Sequence, residues 1–223
     1  MNVTPKLEER LRQLVHLFLA ENARVNLSAF RTEETCWIGN VLDALAAQEV
    51  LRVPAQARFL DLGTGGGFPL LPLAVALQAV SFTGMDATGK KIDAVRRIAA
   101  SMGLENVVVI CGRAEALGRD PRLHERFDVV LARAVAEVNV LLEYCSPFVK
   151  QGGTIVLWKS MDIDGEMKDS AHAQKELRCA FRQSIVYDLP GDFGKRQLLI
   201  FEKTGRVSGN YPRGVGVAKK KPL

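Results

Sequence analysis

The sequence predicts an α/β fold: a mostly parallel sheet of seven strands that ends in an antiparallel hairpin and is preceded by N-terminal helices. Strand-like apolar runs alternate with helical stretches, which is typical of a parallel sheet with helices on both faces. The last two runs are joined by LPGDFGKR, which is too short for a crossover helix and therefore predicts a hairpin. The 223 residues are 48% hydrophobic and 25% charged, which indicates a folded domain and excludes a disordered chain.

Helices come first along the chain. Apolar residues at helical spacing predict a helix over residues 5–22, with Thr4 as its cap and Pro5 at its first position. A second helix is predicted over residues 32–51. The predicted parts of the chain are an N-terminal helical cap (1–55), a core that contains the sheet (56–204) and a basic flexible tail (205–223).

The elements of the sheet follow in a regular order. The predicted strands are residues 57–62, 80–86, 106–111, 127–132, 153–158, 184–189 and 197–203. The predicted helices between the first five strands are residues 69–79, 90–102, 114–123 and 138–149. In such sheets, ligands bind at the carboxyl ends of the strands, so the residues that follow each strand are the candidates for a site.

The excess positive charge lies at the C-terminus. The formal net charge is +5, and residues 206–223 contain five basic residues and no acidic residue. The basic residues are Arg206, Arg213, Lys219, Lys220 and Lys221. Because this segment is rich in glycine and proline, we expect it not to pack as a helix. A basic tail with one aromatic residue, Tyr211, suits a nucleic-acid backbone, and a disordered solubilising tail is the alternative.

Other classes of protein are disfavoured. The four cysteines are scattered, no CxxC pair exists, and the three histidines do not share metal-ligand spacing with them. This predicts reduced thiols in a cytoplasmic protein, and no metal site. The longest apolar run, residues 68–77, contains two prolines and is far too short to span a bilayer, so we expect no membrane partner.

The segment FLDLGTGGGFP, residues 59–69, carries the strongest chemical signal. A strand runs into a glycine loop that precedes a helix, and glycines let a backbone approach a bound group closely. A dinucleotide fingerprint would need glycine or alanine at position 68, where this chain has phenylalanine. The pattern Asp61-x-Gly63-x-Gly65-x-Gly67 instead resembles motif I of the Rossmann-like, class I methyltransferases that use S-adenosylmethionine (SAM). SAM is therefore the expected cofactor.

The ends of the later strands supply further candidates. Asp86 ends the second strand, where a carboxylate can accept both ribose hydroxyls; a helix N-cap is the alternative. After the third strand, Ala114 could offer backbone groups to adenine and Glu115 could accept from its amino group. A first-turn acid favoured by the helix dipole is the alternative for Glu115. Arg133 ends the fourth strand, where it could meet the SAM carboxylate, Asp61 or an RNA phosphate, or form a structural ion pair.

Several segments together resemble one family. They are VNLSAFR (25–31), LDLGTGGGFPLLPLA (60–74), DATGKK (86–91), GRAE (112–115), ARAVA (132–136), the lysine of LWKS, RQLLIFEK (196–203) and the C-terminal YPR and KKKPL. In this order they resemble the GidB-type small subunit ribosomal RNA methyltransferases. The resemblance implies methylation at N7 of a guanine in the decoding region of 16S ribosomal RNA (rRNA). The implied partner is 16S rRNA or the small ribosomal subunit.

The resemblance also implies roles for individual residues. Its cofactor contacts fall on Gly63, Phe68, Asp86, Ala87, Thr88, Ala114, Glu115 and Arg133. The catalytic candidates are Asn26, Arg133 and Lys159. Asn26 is the candidate for contact with the target base, and a turn residue after the first helix is its alternative. Asn40 and Ala44 depart from the family's pattern, which has histidine and serine there.

Alternative functions stay open at this point. They are a SAM methyltransferase with a non-RNA substrate and a silent RNA-binding scaffold. Phe68 opposes a nicotinamide-dependent oxidoreductase. No exposed apolar seam suggests a dimer, so a monomer is expected.

Overall fold

A computed structural model describes residues 3–49, 51, 54, 56–133 and 135–223. Its seven strands form one sheet with the order β3-β2-β1-β4-β5-β7-β6. The strands are β1 (Arg58–Leu62), β2 (Ser81–Asp86), β3 (Val107–Cys111), β4 (Phe127–Arg133), β5 (Val149–Lys159), β6 (Cys179–Leu189) and β7 (Gly194–Lys203). Strands β1 to β5 pair in parallel, while β7 lies antiparallel to both β5 and β6. The predicted mostly parallel sheet with a closing hairpin is confirmed.

The first helix, α1 (Pro5–Val25), begins as predicted. The Thr4 side chain accepts a hydrogen bond from the Leu7 backbone N–H at 3.3 Å, and Pro5 occupies the first helical turn. The helix ends at Asn26, whose φ of 57° places it in the left-handed region.

The predicted second helix is not uniform. It consists of α2 (Glu33–Cys36), a π-helical turn (Trp37–Leu42), α3 (Asp43–Leu45) and a 3₁₀ turn (Ala46–Glu49). The wider π turn brings Gly39 and Asn40 to the end of β4, and π turns are frequent at functional sites. Residue 50 of the predicted helix, and residue 55 at the predicted boundary, lie outside the described residues.

The remaining helices cover the sheet. They are α4 (Leu70–Ala76), α5 (Gly89–Ser101), α6 (Ala114–Leu117), α7 (Val138–Cys145), α8 (Asp164–Asp169), α9 (Ala171–Glu176) and α10 (Val217–Lys220). The helix predicted over residues 114–123 stops at Leu117, because Gly118 follows and Pro121 disfavours helical backbone at the residue before it. The polar helices α8 and α9, between β5 and β6, were missed by the sequence analysis.

Two apolar clusters hold the layers together. Phe59 of β1 packs on one face with Phe18 of α1 and Phe82 of β2. The next residue, Leu60, packs on the opposite face with Phe127 and Leu142. Successive residues of β1 thus point to opposite faces, and both faces are buried. Helices packed on both sides of the sheet therefore hold the ends of its strands in place.

The C-terminal segment differs from the prediction. The expectation that residues 205–223 do not pack as a helix is wrong, since they contain α10 and lie against the second apolar cluster. Ala218 is buried, and Arg213 forms an ion pair with the buried Glu143, with Nη2 and Oε2 at 2.6 Å. Arg213 is therefore occupied within the fold, while the side chains of Lys219, Lys220 and Lys221 are exposed.

Two features that would bear on function are absent from the described residues. No helix in the described part of the chain is long and apolar enough to cross a membrane. Among the same residues, no three histidine, cysteine or acidic side chains come together as a metal-binding group.

Candidate active site

Three adjoining cavities lie at the carboxyl ends of the central strands. The β2–β3 cavity, of about 200 Å³, is lined by residues that include Met85, Ala87, Ala114 and Tyr144. The glycine-loop cavity, of about 340 Å³, is lined by residues that include Thr64, Gly65 and Phe68. The β5 cavity, of about 440 Å³, is lined by residues that include Phe30, Lys159 and Phe193. The first two share Gly63, Asp86 and Val135, while the last two share Ser28, Asn40 and Arg133.

The glycine loop leaves open space above its backbone. Gly63 has φ +74° and Gly65 has φ +55°, a region that favours glycine. A Cβ atom at Gly63 would lie 2.7 Å from the Val135 side chain. At Gly65, a Cβ atom would meet only the Gly63 carbonyl oxygen, at 3.8 Å. A side chain at position 65 would therefore fill free space beside the cavity, where a bound group could approach the backbone.

Asp86 stands at the end of β2 and organises the loop. One carboxylate oxygen accepts the Gly65 N–H at 3.0 Å, and the other accepts the Thr88 N–H at 2.8 Å. Thr88, and not Asp86, occupies the N-cap position of α5. Asp86 also lines both the β2–β3 cavity and the glycine-loop cavity, as an acceptor of ribose hydroxyls would.

Ala114 and Glu115 begin α6 and line the β2–β3 cavity. Glu115 is buried, and its carboxylate accepts the backbone N–H of Gly216 at 2.9 Å. Tyr144 lines the same cavity, and burial together with the nearby negative charge of Glu115 raises the pKa of Tyr144. This end of the cleft therefore offers both a carboxylate and a phenolic hydroxyl, and the C-terminal segment closes over it.

Asp61 lies beneath the glycine loop. One of its oxygens accepts the Leu70 N–H at the start of α4, at 3.2 Å, and its Oδ1 atom has no hydrogen-bond partner among the described residues. Burial raises the pKa of Asp61 to about 6, although the positive charge of Arg133 opposes the shift. Asp61 does not line any of the three cavities. Its hydrogen bond is to the start of α4 and not to a group in the cleft.

The cleft fits SAM. Asp86 provides a carboxylate at a strand end for the ribose, and Ala114 and Glu115 lie where adenine would follow. The open space at Gly65 suits the amino-acid end, which needs close backbone approach rather than a phosphate site. The two cavities have volumes of about 200 and 340 Å³, which together suit a small-molecule ligand.

Arg133 separates the cofactor cleft from the β5 cavity. Its guanidinium donates to Asp43 Oδ2 at 2.8 Å, to Asn40 Oδ1 at 2.8 Å and to the Gly39 carbonyl at 3.1 Å. Arg133 thus forms a structural ion pair with Asp43, which was one of the alternatives predicted for it. Because Arg133 also lines both neighbouring cavities, the pair orients it at their junction.

Asp43 is fixed from a second side. The Tyr187 hydroxyl donates to Asp43 Oδ1 at 2.6 Å, and Trp158 Nε1 donates to the Asp43 carbonyl at 2.9 Å. Burial and the charge of Asp43 raise the pKa of Tyr187 well above its usual range. Tyr187 was not predicted as a site residue, because a tyrosine in an alternating strand has no distinguishing local signal.

Lys159 ends β5 and lines the β5 cavity. Its ammonium donates to Glu166 Oε2 at 2.5 Å and to the Ala136 carbonyl at 2.8 Å. Glu166 belongs to α8 and also accepts the Val138 N–H at 3.0 Å. Glu166 was missed as well, because the short polar helix that carries it was not predicted.

Two predicted site residues lie apart from the cavities. Asn26 caps α1 and accepts a hydrogen bond from Arg31, as the turn interpretation requires. Its neighbours Leu27 and Ser28 line the glycine-loop cavity instead. Thr88 lines none of the three cavities. Of the other predicted residues, Gly63, Phe68, Asp86, Ala87, Ala114, Glu115, Arg133 and Lys159 each line at least one of them.

Comparison with known proteins connects this site to a family. Residues 7–199 match the GidB family, described as rRNA small subunit methyltransferase G. A relative named ribosomal RNA small subunit methyltransferase G, from Carboxydothermus hydrogenoformans, is 37% identical over 207 residues, which cover 93% of this chain and 88% of the relative.

Solved structures show the same fold at low sequence identity. Cofactor-bound Rv0187 from MTB has a TM-score of 0.63 at 19% identity and covers 87% of this chain and 91% of its own. M. jannaschii TYW2 in complex with AdoMet has a TM-score of 0.56 at 16% identity and covers 74% of this chain and 76% of its own. The chain therefore belongs to the rRNA small subunit methyltransferase G family and is a SAM-dependent methyltransferase.

Proposed function

We propose that this protein methylates N7 of a guanine in the decoding region of 16S rRNA. The observation that carries the proposal is the junction of the cofactor cleft and the β5 cavity, formed by Ser28, Asn40 and Arg133. A serine hydroxyl, an amide and a guanidinium do not remove protons at neutral pH without an activating base. Guanine N7 carries an exposed lone pair and accepts a methyl group without losing a proton, so such a junction suffices.

Residues of the β2–β3 cavity and the glycine-loop cavity would hold SAM. Asp86 would accept the ribose hydroxyls, Ala114 and Glu115 would face adenine, and the backbone at Gly65 would face the amino-acid end. When bound, SAM supplies an electrophilic methyl group. Asp43 balances the positive charge of Arg133, so that the junction does not repel a cationic group.

The β5 cavity would receive the target base. Phe30 and Phe193 lie at its wall with ring centroids 5.6 Å apart, which offers aromatic surface to a base that has left its stack. Catalysis would then rest on holding N7 in line with the methyl group. Membership of the family supports small-subunit rRNA as the substrate, and we infer a monomer that acts in the cytoplasm.

The test is methyl transfer from labelled SAM to small-subunit rRNA that lacks the modification. The RNA is offered both free and assembled into subunits. We expect label at a single guanine, with chain cleavage there by borohydride and aniline, a treatment that detects N7-methylguanosine. Label at another atom or base would refute the N7 assignment. SAM binding without transfer to either RNA would overturn the proposal and would favour a silent RNA-binding scaffold or a non-RNA substrate.

A further inference from the structure

A donor and an acceptor stand side by side in the β5 cavity, away from the cofactor cleft. Lys159 Nζ and Glu166 Oε2 are 2.5 Å apart, and both residues line the cavity. The Lys159 side chain is only 11% exposed and that of Glu166 is 28% exposed. An ion pair at this depth is a defined polar feature in a cavity whose wall is partly aromatic.

The pair keeps unused hydrogen-bonding capacity. A lysine ammonium has three hydrogens, and those of Lys159 meet the Ala136 carbonyl and Glu166 Oε2, which leaves one for another acceptor. Glu166 Oε2 accepts from both Lys159 and the Val138 N–H. Within the described residues, Glu166 Oε1 accepts no hydrogen bond. The cavity therefore presents one cationic donor beside one anionic acceptor.

We propose that Lys159 and Glu166 read the Watson–Crick edge of the target guanine, an inference that rests on the proposed function. Guanine has the O6 acceptor next to the N1–H and 2-amino donors. Lys159 donates to O6, and Glu166 Oε1 accepts from N1–H and the 2-amino group. Adenine presents the opposite order, an amino donor beside an N1 acceptor. Lys159 would then meet the amino donor and Glu166 would meet the N1 acceptor, and neither pair can form a hydrogen bond.

The position of the pair suits attack by N7. Arg133 at the end of β4 is paired in register with Trp158, the residue before Lys159. Arg133 also lines the junction with the cofactor cleft. In guanine, O6 lies between the Watson–Crick edge and N7. A base whose O6 is held by Lys159 can therefore turn N7 toward the junction while its N1–H and amino group face Glu166.

The experiment compares guanine with inosine at the target position, in otherwise identical small-subunit RNA. Inosine keeps O6, N1–H and N7 but lacks the 2-amino group. For the wild-type protein, we expect kcat/KM to favour guanine by about tenfold or more, the effect of one hydrogen bond to a charged group. Glu166→Gln keeps the size of the side chain and an oxygen for the Val138 N–H, but puts a donor where the carboxylate accepted. In this variant, we expect the preference for guanine to fall below about twofold.

Asp164→Asn is the matched control, because it makes the same charge change on the same helix at an exposed residue outside the three cavities. It should keep the wild-type preference, and all three proteins should bind SAM equally. If Glu166→Gln has too little activity, the affinities of both RNAs, measured with S-adenosylhomocysteine bound, give the same ratio without turnover.

The outcomes separate this inference from the proposed function. If the wild-type protein does not methylate guanine at N7, the proposed function fails. If it does, but does not distinguish inosine from guanine, the 2-amino contact is refuted. If Glu166→Gln loses activity equally on both RNAs and keeps the wild-type preference, Glu166 is only a structural tether between α7 and α8. A preference that collapses in Glu166→Gln and persists in Asp164→Asn supports base recognition.

Discussion

Replacing Arg213 by alanine tests whether a buried ion pair holds the C-terminal segment on the fold. Arg213 Nε lies 3.0 Å from both Glu143 oxygens, and Nη2 lies 2.6 Å from Oε2. The Glu143 side chain is 1% exposed and that of Arg213 is 24% exposed. The substitution leaves a buried carboxylate with the backbone N–H of residue 213 but without its counter-charge. Removal of one partner from a buried pair costs about 3–5 kcal/mol, and the partial exposure of Arg213 favours the lower end.

The assay is thermal or urea unfolding of the full chain. For a chain of this size, a loss of about 3 kcal/mol lowers the unfolding midpoint by roughly 6–12 °C. Arg206→Ala is the matched control, because that side chain is 86% exposed and lies 4.0 Å from Glu125; its change should stay within about 0.5 kcal/mol. Substitution of both Arg213 and Glu143 by apolar residues should restore much of the stability. If Arg213→Ala is as mild as Arg206→Ala, the ion pair with Glu143 does not hold the C-terminal segment on the fold.

Three further predictions concern the cofactor, the RNA and pH. Gly65→Ala should weaken SAM binding about tenfold or more, because its Cβ fills the open space beside the cavity. Gly103→Ala is the control, since Gly103 has a similar φ of +63° and no atom near its Cβ, and it should leave SAM affinity unchanged. Equal losses of affinity in the two variants would contradict this prediction. Replacing Lys219, Lys220 and Lys221 by alanine should reduce the slope of log RNA affinity against log salt by about 2–3, and an unchanged slope would exclude these lysines from the RNA contact. Because the pKa of Asp61 is raised to about 6, the folded state binds the proton of this carboxyl more tightly than the unfolded state does. The protonated carboxyl therefore contributes to stability below about pH 4, and this contribution is lost as the pH rises through 6. The free energy of unfolding of the wild type minus that of Asp61→Asn should therefore fall by about 2 kcal/mol between pH 4 and 7, and a difference that is flat or rises with pH would show that the pKa of Asp61 is not raised.

The fold was predictable because its signals are local. Strands β1 to β4 are each mostly apolar runs of five to seven residues, and the glycine loop marks the turn from β1 toward α4. The short LPGDFGKR connection leaves a hairpin as the only simple solution, and β6 and β7 pair in this way. Sequence periodicity could not give the order of the strands, in which β7 lies between β5 and β6, because that order depends on long-range pairing.

The site was predictable on the cofactor side and less so on the substrate side. Gly63 directly follows β1, Asp86 ends β2 and Glu115 lies in the first turn of α6, so their positions follow from topology. The residues around the β5 cavity come from distant parts of the chain: Asp43 from α3, Glu166 from α8 and Tyr187 from β6. No local pattern marks such residues, and only their contacts reveal them.

Short motifs in a fixed order were enough to predict the sheet, its glycine loop, the cofactor class and the family. Only the folded structure shows which partner each charged side chain has. Arg213 counts as a free cation in the sequence and is bound to Glu143 in the fold, while Arg133 is bound to Asp43 at the junction of two cavities. The physical reason is that a charge acts on whatever lies within a few ångströms of it, and only folding determines which residues those are.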